Sequence, residues 1–434
     1  MKVLVVAHYF PPVGGAGVQR TAKFVKYMPE LGWDPIVLAA ENPSVPVFDN
    51  SLMDDLPPEV KIVRTKTLEP SYQVKEALVK GSPDKSKWKK WLSSKLRSFI
   101  KALLLPDPQI LWWPCTIWQM FKIIKKEKVD VVFATAPPFS VLFFSTILGR
   151  LCGVPVVIDF RDEWVFARET LEQTAKGWWP RFFDQFMERL SVGLCTNFTA
   201  ATQSYVTSIS ARHQKQSRGK GIVITNGFDE DDFSGLGAEN SNDNPGEIVS
   251  IVYVGTVWKA TTLKPFIDSI NDFVKDNEKL AKKIRVKIFG RVVDSEKDYL
   301  ISSQARFDIQ LLGYQPHKDI LKELVAADTL LLTLTDLPGA ERIIPGKLFE
   351  YLASGSRILA DVPSGETKNI LEKCPKGRVL WLTRDRESTS RLFKKLIGCP
   401  KLSFAQAPEI EVYSRRFLTK RLVDVFDSVL GGKA

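Results

Sequence analysis

Residues 337–363, LPGAERIIPGKLFEYLASGSRILADVP, hold the chain's most informative chemical spacing. Pro345 suits the first turn of a helix and Gly355 its stop, so Lys347, Glu350 and Ser354 share one face at i, i+3 and i+7. Leu348, Tyr351 and Leu352 turn to the other face. A carboxylate on a helix that follows a glycine-rich loop can accept two hydroxyl hydrogen bonds, as a ribose or sugar offers. A lysine one turn earlier can meet a phosphate as a point charge. In isolation the same spacing is that of a surface ion pair worth only ~0.2–0.5 kcal/mol.

A second constellation lies near the start. HYFPPVGGAGVQR, residues 8–20, follows an apolar run and reads as a strand entering a glycine loop and then a helix. Arg20 stands where the dinucleotide fingerprint requires its third glycine, and no Gly-Lys-Ser/Thr follows. What remains is bare backbone N–H at a helix start, which suits an anion. A third, VPVVIDFRDEW at 154–164, brings Asp159, Arg161 and Asp162 to a strand end, where an ion pair is the plain structural expectation. Three histidines (8, 213, 317) and five scattered cysteines (115, 152, 195, 374, 399) form no metal-ligand pattern and fit a reducing compartment. Asp229-Glu230-Asp231 has the D-x-D form, but acidic residues at a helix start are ordinary capping chemistry, so no metal is expected.

The elements that must position these groups follow from the alternation of β-type and helical runs. A length of 434 residues, 44% hydrophobic and 26% charged, accommodates two or three soluble domains. Strands are predicted at 2–7, 35–39, 60–64, 129–134, 155–159, 197–201 and 221–225. A polar stretch, SGLGAENSNDNPGE, follows, and a second alternating series then begins at IVSIVYVGTV. The chain therefore reads as α/β, with two tandem doubly wound domains over 1–228 and 229–412. A helix at 413–434 packs on the domain before it or returns to the first. Ligands of such sheets sit beyond the carboxyl ends of the strands, which points to the cleft between the domains.

The net charge of +11 implies an acidic partner. Much of the excess falls in 85–128, where Trp88 and Trp91 recur with leucines at helical spacing between lysines, and Trp112 and Trp113 follow. That is the pattern of a basic amphipathic segment on an anionic membrane surface, with the four tryptophans as anchors. Nucleic acid is not expected, because no motif for it appears. Residues 131–149 carry no charge, yet Pro137-Pro138 divides them, so a buried strand, turn and helix is expected rather than a membrane span.

The joint order of strand–PP–GG–helix, NGFDEDDF, LLGYQPHKDILKELVAADTLLL and PGKLFEYLASGSRILA resembles the group 1, family 4-like nucleotide-sugar glycosyltransferases. These have two Rossmann-like domains, the GT-B fold. VPVVIDFRDEW resembles the branch acting in surface-polysaccharide and O-antigen assembly. The resemblance covers nearly the whole chain. It implies a retaining transfer of a hexosyl or N-acetylhexosaminyl group from a nucleoside diphosphate sugar to a lipid-linked or polysaccharide acceptor, at the cytoplasmic membrane face and without a cofactor. Gly14 and Gly15 match the loop that approaches the donor phosphates, and Glu350 matches the ribose-binding glutamate. The family's first paired glutamate falls on Arg342, with Glu341 one residue out of register, while Gly339-Ala340-Glu341 would lie at the sugar. Lys259, Lys264 and Arg291 are the candidates for the pyrophosphate. Thr135 stands where many relatives have a histidine, so Arg161 and Asp162 are assigned to the acceptor side and to any proton acceptance. A nucleotide-sugar 2-epimerase of the same fold and a non-enzymatic polyanion-binding protein are the alternatives.

Overall fold

The computed structural model describes residues 1–73, 104–171, 177–236, 248–275, 278–302, 305–383, 385–398 and 408–431. Trp88 and Trp91, residues 85–103 of the basic segment expected at 85–128 and most of the polar stretch after Ser234 lie outside them. The chain divides into two compact units, one of residues 1–225 joined by the chain from Leu418 onward, the other Asn226–Phe417.

In the first unit the described strands are β1 (Lys2–Val6), β2 (Asp34–Ala40), β3 (Lys61–Thr65), β4 (Val131–Ala136), β5 (Val156–Phe160), β6 (Asn197–Ala200) and β7 (Gly221–Val223), ordered β3-β2-β1-β4-β5-β6-β7. Every pairing is parallel. Parallel strands need helical crossovers, which bury both sheet faces, and this explains unbroken apolar runs such as VVFATA in β4. One face, built from Val3, Val5, Val37, Val131 and Phe133, packs against α1 (Ala16–Tyr27). The helix Arg415–Gly431 supplies Leu418, Leu422 and Phe426 to that same core. Its Phe426 ring lies 5.1 Å from Trp33 and 5.7 Å from Phe133.

The opposite face carries α2 (Trp113–Glu127), α3 (Ser140–Cys152) and α4 (Trp178–Leu194), with α3 in the middle. Gly149 of α3 fits because a Cβ there would come within 2.3 Å of Val156. Asp107 accepts hydrogen bonds from the Phe139 and Ser140 N–H groups (2.7 and 3.0 Å) and from the Ser140 hydroxyl (2.7 Å), satisfying the start of α3 from outside it. The uncharged run 131–149 is thus a buried strand, a turn and a helix. Among the described residues no helix is long and apolar enough to cross a membrane. Trp112 and Trp113 do not stand as surface anchors. Both are buried, Trp112 donating its indole N–H to the Thr65 hydroxyl (2.8 Å) and Trp113 stacking on Phe144 of α3 (4.9 Å). Where the turn Pro108–Trp112 runs into α2, Trp112 packs toward β3 and Trp113 toward α3 rather than the solvent.

The second unit has the parallel order β10-β9-β8-β11-β12-β13, from β8 (Val249–Val254), β9 (Ile284–Phe289), β10 (Asp308–Gly313), β11 (Thr329–Thr333), β12 (Arg357–Asp361) and β13 (Val379–Trp381). Its site-bearing helices are α5 (His317–Ala326) and α6 (Lys347–Ala353). Both sheets have the single reversal of strand order that marks a doubly wound fold.

Candidate functional site

The second unit gathers its charged side chains at the carboxyl ends of β8, β9 and β11. The helix α6 starts after Gly346 and ends before Gly355, which takes a left-handed φ of 75°, as the glycine stop requires. Leu348, Phe349, Tyr351 and Leu352 are buried, and the Tyr351 hydroxyl accepts the Val254 N–H at 3.0 Å, tying the helix to the end of β8. Lys347 and Glu350 are left on the half-buried side.

Glu350 is held by a residue that the sequence reading left unassigned. His317, at the first position of α5, places Nε2 2.9 Å from Glu350 Oε1, and its Nδ1 lies 3.9 Å from Asp232 Oδ2. One Glu350 oxygen is therefore fixed and the carboxylate keeps capacity for further donors. The signal was visible in Tyr-Gln-Pro-His-Lys, where a proline cap puts the histidine at a helix start beside α6, but spacing alone did not pair it with Glu350. Ser354 departs from the expected face chemistry. Its hydroxyl donates to the Tyr351 carbonyl at 2.9 Å and accepts the Ser356 N–H at 3.2 Å, closing the helix end instead.

Lys347 has no carboxylate within 4 Å among the described residues. Its ammonium stands over the Tyr253 ring, 3.6 Å from the centroid, and burial pushes its pKa well below the ordinary lysine value. Beside it the backbone comes unusually close to itself. Gly255 has φ 126° and Gly290 φ 117°; a Cβ on Gly290 would sit 2.4 Å from the Gly255 carbonyl oxygen. The turns after β8 and β9 are therefore limited to glycine, which brings the Lys259 and Arg291 backbones to the same edge. Lys259 and Arg291 are exposed and make no ion pair among the described residues. Lys264 is engaged instead, 3.9 Å from Glu296 and over the Tyr299 ring. Gly339, with φ 88°, caps the short turn Ala340–Arg342, where Glu341 is exposed and lies 4.0 Å from the Arg342 guanidinium. Gly365 locks that loop from behind, since a Cβ there would fall 2.2 Å from the Glu341 carbonyl oxygen.

The first unit has its own charged edge. Arg20 grips Asp159 with two hydrogen bonds (3.0 and 2.8 Å) and also donates to the Ile224 carbonyl at 2.7 Å and the Thr225 carbonyl. Thr135 and Thr199 donate to the same carboxylate at 2.9 and 2.7 Å. Burial alone would raise the Asp159 pKa, but the Arg20 charge and these donors hold it below the usual carboxylate range. The strand-end ion pair thus exists, with Arg20 rather than Arg161 as its cation, which explains an arginine at the third-glycine position. Arg161 donates to the carbonyls of Gly17, Ala136 and Pro137, fastening the glycine loop to the end of β4. Its role in the structure is to position that loop.

Asp162 accepts no hydrogen bond from the described residues, and burial raises its pKa despite the Arg161 charge nearby. Gly15 is exposed with φ 115° at the start of α1, whose first turn has neither a side-chain cap nor an acidic residue. Gly14 is less available, because its N–H bonds the Val47 carbonyl at 3.1 Å. His8 is buried 3.1 Å from Glu69 and faces the interior. A cavity of about 330 Å³ in this unit opens beside Val156 and Asn197, at the amino ends of β5 and β6 and so opposite the charged edge.

The sequence matches no protein-family model and no curated protein. Solved structures do resemble the chain along its length. Anabaena HepE in complex with UDP and glucose is 14% identical, with a TM-score of 0.61 over 99% of this chain and 100% of that one. Sucrose-phosphate synthase from Thermosynechococcus elongatus is 9% identical, with a TM-score of 0.62 over 99% of both chains. A putative UDP-N-acetylglucosamine 2-epimerase from Listeria monocytogenes is 11% identical, with a TM-score of 0.55 over 99% and 97%. At such identities the likeness establishes architecture alone, two tandem Rossmann-like α/β units of the GT-B fold.

Proposed function

We propose that the protein is a retaining glycosyltransferase that moves a hexosyl or N-acetylhexosaminyl group from a nucleoside diphosphate sugar. The acceptor in this reading is lipid-linked or polysaccharide, at the cytoplasmic face of the membrane, in surface-polysaccharide or O-antigen assembly of the family 4-like kind. The observation that carries it is the pairing of an oriented carboxylate with an unpaired ammonium three residues away, Glu350 fixed by His317 and Lys347 resting on Tyr253. Glu350 would accept the ribose hydroxyls, and Lys347, with Lys259 or Arg291, would face the pyrophosphate. Bound UDP in the Anabaena neighbour supports this choice of donor class.

In the reaction the bond from the anomeric carbon to the leaving phosphate oxygen breaks as the acceptor oxygen bonds that carbon. The acceptor's proton passes to the departing phosphate or to Asp162. Negative charge grows on the nucleoside diphosphate, where lysine, arginine and backbone N–H groups stabilise it without a metal.

The test is release of nucleoside diphosphate from a panel of nucleotide sugars, with chelator present, by the wild type and by Glu350→Ala. Turnover of one donor that the variant loses is expected; unchanged turnover and donor affinity in the variant would overturn the assignment. The epimerase neighbour favours one second reading, in which the donor itself is converted with no acceptor present. NMR of the products from donor alone separates the two.

A further inference from the structure

The outer surface of α2, α3 and α4 is unusual for a helical layer covering a sheet. Trp178, Phe182 and Phe186 of α4 lie along one face at i, i+4 and i+8, and all are exposed, Trp178 by 76%. On α2, Trp118 is 63% exposed and stacks on Phe121 at 5.5 Å. Between them α3 has no charged side chain before Arg150, and its Leu151 is exposed by 78%. Isolated exposed apolar residues are ordinary, but large aromatic rings on neighbouring helices mark an interaction surface.

The charges on these helices identify the partner. Lys122, Lys125, Lys126, Arg150 and Arg189 are exposed, and Lys122 stands over the Trp118 ring at 5.4 Å. The carboxylates are turned away. Asp184 and Glu188 are buried, Asp184 taking the Trp164 indole N–H and Glu188 pairing with Arg212 and His213. Glu127 is held by Lys61 at 2.7 Å. A surface offering aromatic rings and cations without free anions suits the interface of an anionic bilayer, where tryptophan sits at headgroup depth and cations meet lipid phosphates.

We propose that the aromatic faces of α2 and α4, flanking α3, dock this protein on an anionic lipid surface. The inference rests on the reading of a membrane-face transferase and gives its membrane partner an address. Helices between parallel strands run antiparallel to them, so the first halves of α2 and α4, where Trp118, Trp178 and Phe182 lie, stand at the carboxyl edge of the sheet, the edge that bears Asp162. Docking there brings the end of a lipid-linked acceptor to the acceptor side.

The experiment is flotation of the full-length chain with vesicles of phosphatidylglycerol and phosphatidylcholine in equal parts, and with phosphatidylcholine alone. The wild type is expected to float with the anionic vesicles, and Trp118→Ser/Trp178→Ser/Phe182→Ser to lose about tenfold or more in partitioning. Lys122→Glu/Arg189→Glu, which changes only exposed ends, is expected to lose binding in proportion to anionic lipid and to melt like the wild type. Equal flotation of wild type and both variants overturns the proposal, as does a wild type that binds neither vesicle. A wild type that dimerises while the triple variant stays monomeric, with flotation unchanged, overturns it in favour of a second copy. Nucleoside diphosphate release in lipid-free buffer is read separately. Its absence from all proteins, with flotation as expected, defeats the transferase reading and leaves the docking surface standing.

Discussion

At the carboxyl edge of the first sheet, Arg20 and Arg161 are bound into the protein, one by Asp159 and two carbonyls, the other by three carbonyls. At the corresponding edge of the second sheet, Lys259, Arg291 and Lys347 meet no carboxylate among the described residues. Both edges are basic, but only one keeps cations uncompensated. A buried pair such as Arg20–Asp159 is held by geometry and fixes the fold; an unpaired, desolvated ammonium is tolerated where a ligand supplies the missing anion. The difference separates a structural lock from the edge proposed to hold the donor in a way that composition does not.

Breaking the lock gives the largest expected effect. Arg20→Met leaves Asp159 as an uncompensated buried charge, which costs about 3–5 kcal/mol, or roughly 6–20 °C in the melting of the first unit by calorimetry. Because the Asp159 pKa is lowered on folding, the wild-type contribution is present above the usual carboxylate value and is lost as pH falls through the lower folded value. The variant's melting should therefore approach that of the wild type only in strong acid.

On the other side of the comparison, Glu350→Ala is expected to weaken the donor roughly 10- to 100-fold, read by titration with a nucleoside diphosphate, with little change in melting. Lys347→Met should weaken the donor as well, yet stabilise the empty second unit by about 1 kcal/mol, ~2–4 °C. Its folded pKa is lowered, so the unfolded chain binds more protons and wild-type stability rises with pH toward 10.5. The advantage of the methionine should fade over the same range. A variant that gains no stability while losing donor would show the ammonium to be compensated.

The smallest effect sharpens the exception in the first unit. Asp162→Asn should raise melting slightly at neutral pH, because the Asp162 pKa is raised by burial and its ionised form is disfavoured on folding. That gain should vanish below the ordinary carboxylate value of 3.8, while sugar transfer falls at every pH. Unaltered transfer would remove Asp162 from the acceptor side.

The architecture was legible because its causes are local. Alternating apolar runs, the Pro345–Gly355 brackets of α6 and the Pro137-Pro138 break each dictate a nearby conformation. Glu350 and Lys347 were legible for the same reason, sharing one face of one helix. Pairings across the sheet were not. Arg20 meets Asp159 across 139 positions and His317 meets Glu350 across 33, and no periodicity encodes either. Trp112 and Trp113 misled because an aromatic pair beside lysines reads as an anchor until the sheet beneath it is known. Trp178, Phe182 and Phe186 of α4 and Trp118 of α2 are among the rings exposed on this helical layer.

The last helix carries a consequence for biosynthesis. Leu418, Leu422 and Phe426 complete the core that Val3, Val5 and Phe24 begin, so the sheet of the first unit lacks part of its cover until residues 418–426 leave the ribosome. The second unit, whose residues are contiguous, can close while that sheet still waits. A message cut short before the codon for Arg415 should thus yield a chain whose earlier-made unit is the one recognised by chaperones and proteases.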